Sequence, residues 1–225
     1  MRELLPLSLL GAVLGLDVVC FPQIMISRPL VAATLAGALM GDPIRGMLVG
    51  ATLELIALAT LPFGASRYPE WGSAAVVGGA ITASVEAHHV GALTVGVLAA
   101  LATGWIGGVS LVKLRNWNAW LARRRRPALD AGSRDAVIGL QLAGLTGDAV
   151  RAGLLTLVAY AILKPVADAT LGMWSASDAA SRAYLVWAAA SVAAAAAWTI
   201  FHSARGARWY FAAGLALGLL LLVAR

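Results

Sequence analysis

Cysteine is all but missing from this chain. Cys20 stands alone, which excludes an internal disulfide. Charge is scarce too: 12% of the residues are Asp, Glu, Lys or Arg, against about 25% in soluble domains. A water-soluble fold would have to hide nearly every helix face. Catalytic signatures are also lacking. There is no P-loop, no Gly-x-Ser-x-Gly, no His-Glu-x-x-His and no cysteine pair. Neither a catalytic residue nor a cofactor is expected. Histidine is limited to three residues. The adjacent pair His88-His89 would project about 100° apart on a helix, a poor chelate, so no metal site is expected. Cys20 has an apolar setting without a basic neighbour in sequence, which argues against a phosphorylated cysteine. No long linker or low-complexity tail interrupts the chain, so residues 1–225 read as one integral membrane domain.

Apolar residues are abundant: 60% of the chain is hydrophobic and the mean hydropathy is +0.83. The fold class is an all-α polytopic membrane protein with seven or eight apolar segments, some of them short, broken or re-entrant. The segments run over Leu4–Val19, Pro29–Gly41, Ile44–Leu61, Ser73–Val85, Val90–Val112, Ala136–Ile162, Ala183–Phe201 and Trp209–Ala224. The opening MRELLPLSLLGAVLGLDVVC lacks an Ala-x-Ala cleavage site and reads as a retained first helix. Pairs such as Gly11/Gly15, Gly37/Gly41, Gly46/Gly50, Gly104/Gly108 and Gly214/Gly218 predict helices packed through small residues.

The net charge of +6 is concentrated rather than spread. Lys113, Arg115 and Arg123–Arg126 place six positive charges within 14 residues. In a chain this apolar they mark a cytoplasmic loop, residues 113–135, and not a nucleic-acid surface. The loop divides the chain into an N-terminal part, 1–112, and C-terminal helices, 136–225. Trp117 and Trp120 suit an interfacial helix, stopped at Pro127. Residues 164–181 read as a polar loop, Asp148 and Arg151 as an ion pair at i,i+3, and the basic turn HSARGAR as a second cytoplasmic connection.

The stretch around which the rest is organised is 20–72. Its first apolar piece would rise only about 20 Å as a helix, short of a ~30 Å hydrocarbon core. Arg28-Pro29 and Asp42-Pro43 bound it. Irregular backbone at membrane depth is tolerated only where it is buried in protein or lines a cavity. Broken apolar segments of this kind, here about 28–61, point to a transporter's binding site.

The sequences RPLVAATLAGALMGD, GMLVGATLELIAL and LPFGASRYPEWG follow one another over some 50 residues. In order and spacing they resemble the signature of the IIC membrane component of the mannose/fructose/sorbose family of sugar phosphotransferase systems. The resemblance implies a multi-pass protein of the bacterial inner membrane that carries a hexose or amino sugar across the bilayer. It implies a membrane partner, the IID component, in a trimer of IIC–IID heterodimers. It also implies cytoplasmic IIA and IIB components, the latter phosphorylating the sugar at the expense of phosphoenolpyruvate, so that this chain is not itself the enzyme. A further apolar helix after the eighth segment is implied too. The sequence ends at Arg225, so that surface is left to the IID partner or to different packing. Two other classes compete: a transport-inactive regulatory or scaffold protein of the same fold, and an ion-coupled carrier of small solutes.

Glu54 is the leading candidate for substrate contact. An ionisable group inside a membrane segment is costly and faces the bundle interior or a watery cavity, and a carboxylate accepts hydrogen bonds from two hydroxyls at once. The structural alternative is a carboxylate satisfied by an arginine or a backbone N–H. Arg28, Gln23, Asp17 and Thr52 complete the candidate set. Arg28 competes with a snorkelling role, Gln23 and Asp17 with polar packing. Some family members carry acidic residues just before Arg-Pro, where this chain has Pro22-Gln23, so the resemblance does not extend to mannose specificity. Ser66, Arg67 and Glu70 are candidates for a gate or a partner contact, against a solvated loop. Pro29, Gly41, Asp42 and Gly50 read as structural turn or packing positions.

Overall fold

The computed structural model describes residues 3–20, 22–60, 67–85 and 91–223, and within them only helices form. They are α1 (Leu4–Val19), α2 (Pro29–Leu39), α3 (Pro43–Ala57), α4 (Trp71–Ser84), α5 (Ala92–Arg124), α6 (Arg126–Asp130), α7 (Arg134–Gly172), α8 (Asp178–Phe201) and α9 (Ala207–Val223). Three of them, α5, α7 and α8, are long and apolar enough to cross a membrane. His88 and His89 lie outside the described residues.

The hub is α4, whose residues Gly72 to Ala83 are all buried. It touches α1, α2, α3, α5 and α7. Small residues make this possible. A Cβ on Gly79 would stand 2.7 Å from the Ala33 carbonyl of α2, and one on Gly78 the same distance from the Gly96 carbonyl of α5. On the other side α1 packs along α7. There Gly11 faces Thr156 and Gly15 faces Ala152, closer than any larger residue allows. The pair Gly214/Gly218 has open space around it.

Helices α2 and α3 form a tight hairpin. Pro29 and Pro43 occupy first turns, where a missing N–H costs nothing. Gly41 turns the chain at φ +89°, a conformation that penalises a side chain. Asp42 then caps α3 by accepting the Arg45 N–H at 3.0 Å. At about 1.5 Å per residue α2 rises roughly 16 Å and α3 roughly 22 Å.

Two expected loops are helical. The basic stretch continues α5 without interruption to Arg124. Residues 113–124 contain no Gly or Pro, and extending an existing helix is far easier than starting one. The break comes at Arg125, before Pro127, which sits in the first turn of α6 instead of ending a helix. Likewise α7 runs through Pro165 to Gly172. Lys164 and Asp168 pair there at i,i+4, 2.6 Å apart, within an alanine-rich sequence that favours helix. At the other end, α9 meets α8 through Phe211 packed edge-on against Trp198, ring centroids 5.7 Å apart.

Candidate functional site

The carboxylate of Glu54 and the start of α2 are brought together by a glycine. Gly50 lies one helical turn before Glu54, on the same face of α3. A Cβ there would come within 2.7 Å of the Pro29 carbonyl and of Leu30 Cα. The close approach lets Glu54 reach the N-terminus of α2. Its Oε2 accepts the Leu30 N–H at 3.2 Å, and its Oε1 accepts from the Arg28 guanidinium. Glu54 thus caps a helix on which Pro29 has removed one donor, where the macrodipole favours negative charge. The Arg28 side chain is 51% exposed and that of Glu54 23%. Glu54 is therefore not the buried carboxylate expected from its apolar neighbours. Thr52 binds back to its own helix, donating to the Leu48 carbonyl at 3.0 Å.

The buried carboxylates lie elsewhere. Asp17, near the end of α1, is 2% exposed. It accepts from the Ile24 N–H at 2.8 Å, the Ser27 N–H at 2.9 Å and the Ser27 hydroxyl at 2.8 Å. These bonds hold the connector leading to Arg28, in which Gln23 (φ 58°) and Met25 (φ 66°) are both left-handed. Neither is glycine, so the conformation is strained and must be imposed by its surroundings. Glu70 is buried, not solvated. It caps α4 by accepting the Ser73 N–H at 3.1 Å, and its own N–H donates to the Gly104 carbonyl at 3.0 Å. Arg67 stacks over Trp105 at 5.0 Å. Ser66 lies outside the described residues. Asp148 is paired with Arg151 at 2.8 Å and accepts from the Cys20 thiol at 3.4 Å. Cys20 therefore has an ionic environment, not the apolar one read from its sequence neighbours.

Beside the Arg28–Glu54 pair lies a cavity of about 290 Å³, whose lining combines the polar Asp17, Gln23, Ser27, Arg28 and Thr60 with Tyr68, Trp71 and aliphatic residues such as Val18, Met25 and Leu58. Trp71 Nε1 donates to Thr60 Oγ1 at 3.1 Å. Tyr68, whose phenol is held up from its usual range by burial, accepts from Arg115 at 2.8 Å. Arg28 alone both lines the cavity and pairs with Glu54; Glu54 and Thr52 are not among the described lining residues. Ser27, Thr60 and Trp71 escaped the sequence reading. The only signal was the position of Trp71 next to the acidic cap, inside a motif read for its Gly and Glu.

Short apolar helices packed through glycine beside a mainly apolar cavity that carries a few polar groups, with three long apolar helices next to them, define a helical membrane protein. The family model described as the PTS system sorbose-specific IIC component matches residues 3–179. The chain belongs to that family, the IIC components of mannose/fructose/sorbose phosphotransferase systems. It is 29% identical over 127 residues to the mannose-specific EIIC component of Escherichia coli K12, covering 56% of this chain and 46% of the relative. It is 27% identical over 145 residues to the fructose permease IIC component of Bacillus subtilis, covering 64% and 52%. With the sorbose-specific EIIC component of Lacticaseibacillus casei it shares 28% over 138 residues, covering 61% and 48%. The alignments thus span about half the length of these relatives. Among solved structures, one described as "Structure of membrane protein" superposes with a TM-score of 0.75 at 18% identity, covering 100% of this chain and 93% of the other. The cryo-EM structure of the mannose transporter ManYZ with microcin E492 gives 0.61 at 20% identity, covering 99% and 86%. At these identities the likeness is one of fold alone.

Proposed function

We propose that this chain is the sugar-translocating membrane component of a phosphoenolpyruvate-dependent phosphotransferase permease in a bacterial inner membrane. It carries a hexose or amino sugar to a cytoplasmic IIB component, which performs the phosphoryl transfer with a IIA component upstream. A IID component is its membrane partner, in a trimer of IIC–IID heterodimers. The α2–α3 hairpin is re-entrant, residues 1–225 form one membrane domain, and the basic stretch 113–135 faces the cytoplasm.

The observation that carries this reading is the Arg28–Glu54 pair at the edge of a cavity whose mainly apolar wall carries a few polar groups. At about 290 Å³ the cavity lies near the lower bound of small-ligand pockets, ~300–1,000 Å³. Trp71 offers a flat face for the apolar side of a sugar ring. Gln23, Ser27, Arg28 and Thr60 offer donors and acceptors for its hydroxyls. Glu54 comes within reach of a sugar hydroxyl when Arg28 swings aside, and Thr52, one turn from Leu48, lies on the same helix. Arg67 and Glu70 flank the aromatic wall as gate or support; Ser66, the third gate candidate, lies outside the described residues.

Uptake into vesicles holding this chain and its IID partner tests the reading, with and without the IIA and IIB components and phosphoenolpyruvate. Accumulation of sugar phosphate that needs phosphoenolpyruvate and is abolished by Glu54→Gln in a complex that still assembles is the expected result. No uptake across a panel of hexoses and amino sugars, despite a stable complex, would move the assignment to a scaffold protein. Uptake that needs an ion gradient and no phosphoenolpyruvate would move it to an ion-coupled carrier.

A further inference from the structure

A second and larger cavity, about 490 Å³, opens between α5 and α7, well inside the ~300–1,000 Å³ range of small-ligand sites. It runs along α5 from Leu111 to Ala122, toward the basic end of that helix. It abuts the Arg28–Glu54 cavity. Tyr68 lines the first cavity and Arg115 the second. Arg115 donates to the Tyr68 hydroxyl at 2.8 Å, and its guanidinium stands 5.2 Å from the centre of the Tyr68 ring. At the end of α1, Asp17 and Val18 line the first cavity and Cys20 the second. The partition is thus one pair of side chains at one place and two residues of chain at the other.

Both charged groups that line the second cavity are engaged. Asp148 is paired with Arg151, and Arg115 is held by Tyr68. The other polar side chains include two neutral amides, Asn118 on α5 and Gln141 on α7. Asn118 Oδ1 is buried and has no hydrogen-bond partner among the described residues. A buried acceptor of that kind is costly unless something donates to it. A Cβ on Gly144 would stand 3.7 Å from Asn118 Nδ2. Gln141 lies one turn before Gly144, so amides from two helices face one space. A carboxamide both donates and accepts, which suits adjacent hydroxyls. Leu114 and Leu145 supply apolar surface beside them. Such a lining favours a neutral, hydroxyl-bearing ligand over an anion.

We infer that this cavity is a second site for the unphosphorylated sugar, divided from the first by the Tyr68–Arg115 contact. One ring hydroxyl donates to Asn118 Oδ1, a neighbouring hydroxyl bonds the Gln141 amide, and ring carbons lie against Leu114 and Leu145. The inference rests on the proposed function and extends it: the sugar pauses at the basic end of α5 before phosphoryl transfer.

Cys20 provides the reporter. It lines the cavity, is exposed and is the only cysteine of the chain. The complex with the membrane partner, in detergent, is alkylated with iodoacetamide in the presence of glucose, mannose, fructose or sorbose, and modification of this chain is read by mass spectrometry. Uptake of the same sugars into vesicles, with the IIA and IIB components and phosphoenolpyruvate, is measured in parallel. A tenfold excess over Kd leaves about a tenth of the sites open, so the sugar that is taken up should slow alkylation about tenfold. Its phosphate ester should not. Asn118→Leu should raise the sugar concentration needed for protection about tenfold, equivalent to ~1.4 kcal/mol, and slow the accumulation of sugar phosphate. Gly144→Phe fills the cavity and should abolish protection. Gly139→Phe, on the same helix with nothing within 4 Å of its Cβ, should change neither readout. If Gly144→Phe does not assemble, Asn118→Leu carries the test. No uptake of any of these sugars by the parent complex defeats the transport reading and this inference with it. Uptake without protection of Cys20 defeats this inference alone, as does protection that survives in an assembled Gly144→Phe complex. Equal protection by the phosphate ester overturns it in favour of a product site. A copurifying lipid that the sugar does not displace overturns it in favour of a headgroup site.

Discussion

Replacing Asp17 by Ala should destabilise the protein and release the connector that ends at Arg28. The carboxylate is 2% exposed and accepts three hydrogen bonds from Ile24 and Ser27. At about 1 kcal/mol net for each bond, the loss is roughly 3 kcal/mol, and more if the freed N–H groups stay buried. For a chain of this size ~1 kcal/mol moves the melting temperature about 2–4 °C, so a fall of roughly 6–12 °C is expected in detergent. Gln23 and Met25 hold left-handed backbone only while these bonds stand, so residues 20–28 should also become a site of limited proteolysis. Asp17→Asn keeps an acceptor but turns an N–H₂ group toward donors, and should fall between wild type and Ala. An unchanged melting temperature and cleavage pattern in Asp17→Ala would refute the reasoning. The connector would then be held by packing alone.

Asp148→Ala should cost more, about 3–5 kcal/mol, because it leaves the Arg151 side chain, 10% exposed, with its charge uncompensated; the check is thermal unfolding, with Asp148→Ala/Arg151→Met recovering most of the loss. Gly50→Ala should lower the melting temperature by an amount corresponding to about 1–3 kcal/mol, despite the ~1 kcal/mol that Ala gains over Gly in a helix, because its Cβ meets Leu30 and Pro29 backbone at 2.7 Å. Gly214→Ala, with open space around it, should instead raise the melting temperature slightly, and the same sign for both substitutions would refute the close-packing account.

How far the sequence could be read followed from how local each cause was. The limits of α1 and the existence of α2 and α3 were legible, because Pro, Gly and Asp-Pro act within one turn. Gly50 was legible as a packing position and Glu54 as an ionisable group inside an apolar segment, yet what each would meet was not. That Glu54 would meet Arg28 and Leu30 depends on the hairpin closing at Gly41, where residues 26 and 24 positions apart come together. For Asp17 the alternatives of ligand contact and polar packing were legible, but its partners were not, for a related reason. A carboxylate near the end of a helix reads as polar packing or a ligand, whereas its three donors come from backbone and hydroxyl groups seven to ten residues onward. The polar stretch after Val112 misled in the opposite direction: charge marks where a segment leaves the membrane, not where the helix ends.

The three kinds of carboxylate here differ in what it would take to move them, and that difference bears on transport. Asp17 and Asp148 are buried and fully engaged, so displacing either exposes unsatisfied donors or a naked guanidinium. Glu70 closes α4 from inside the bundle. Of these four acids, only Glu54 pairs with a side chain, Arg28, that is itself half exposed and lines a cavity. Exposed pairs contribute about 0–1 kcal/mol, so opening this one costs little. Sugar hydroxyls can then replace Arg28 as donors to Glu54 while the Leu30 N–H keeps the carboxylate in place. Under the proposed function, stability and uptake therefore separate at Glu54 and not at Asp17, Asp148 or Glu70. Glu54→Gln should change the melting temperature by no more than about 4 °C, since ~1 kcal/mol corresponds to 2–4 °C, yet abolish uptake. Asp17→Ala should lose both together. If Glu54→Gln proves as destabilising as Asp17→Ala, the pair is a structural strut and the ligand must be held by the cavity wall of Gln23, Thr60 and Trp71 without it.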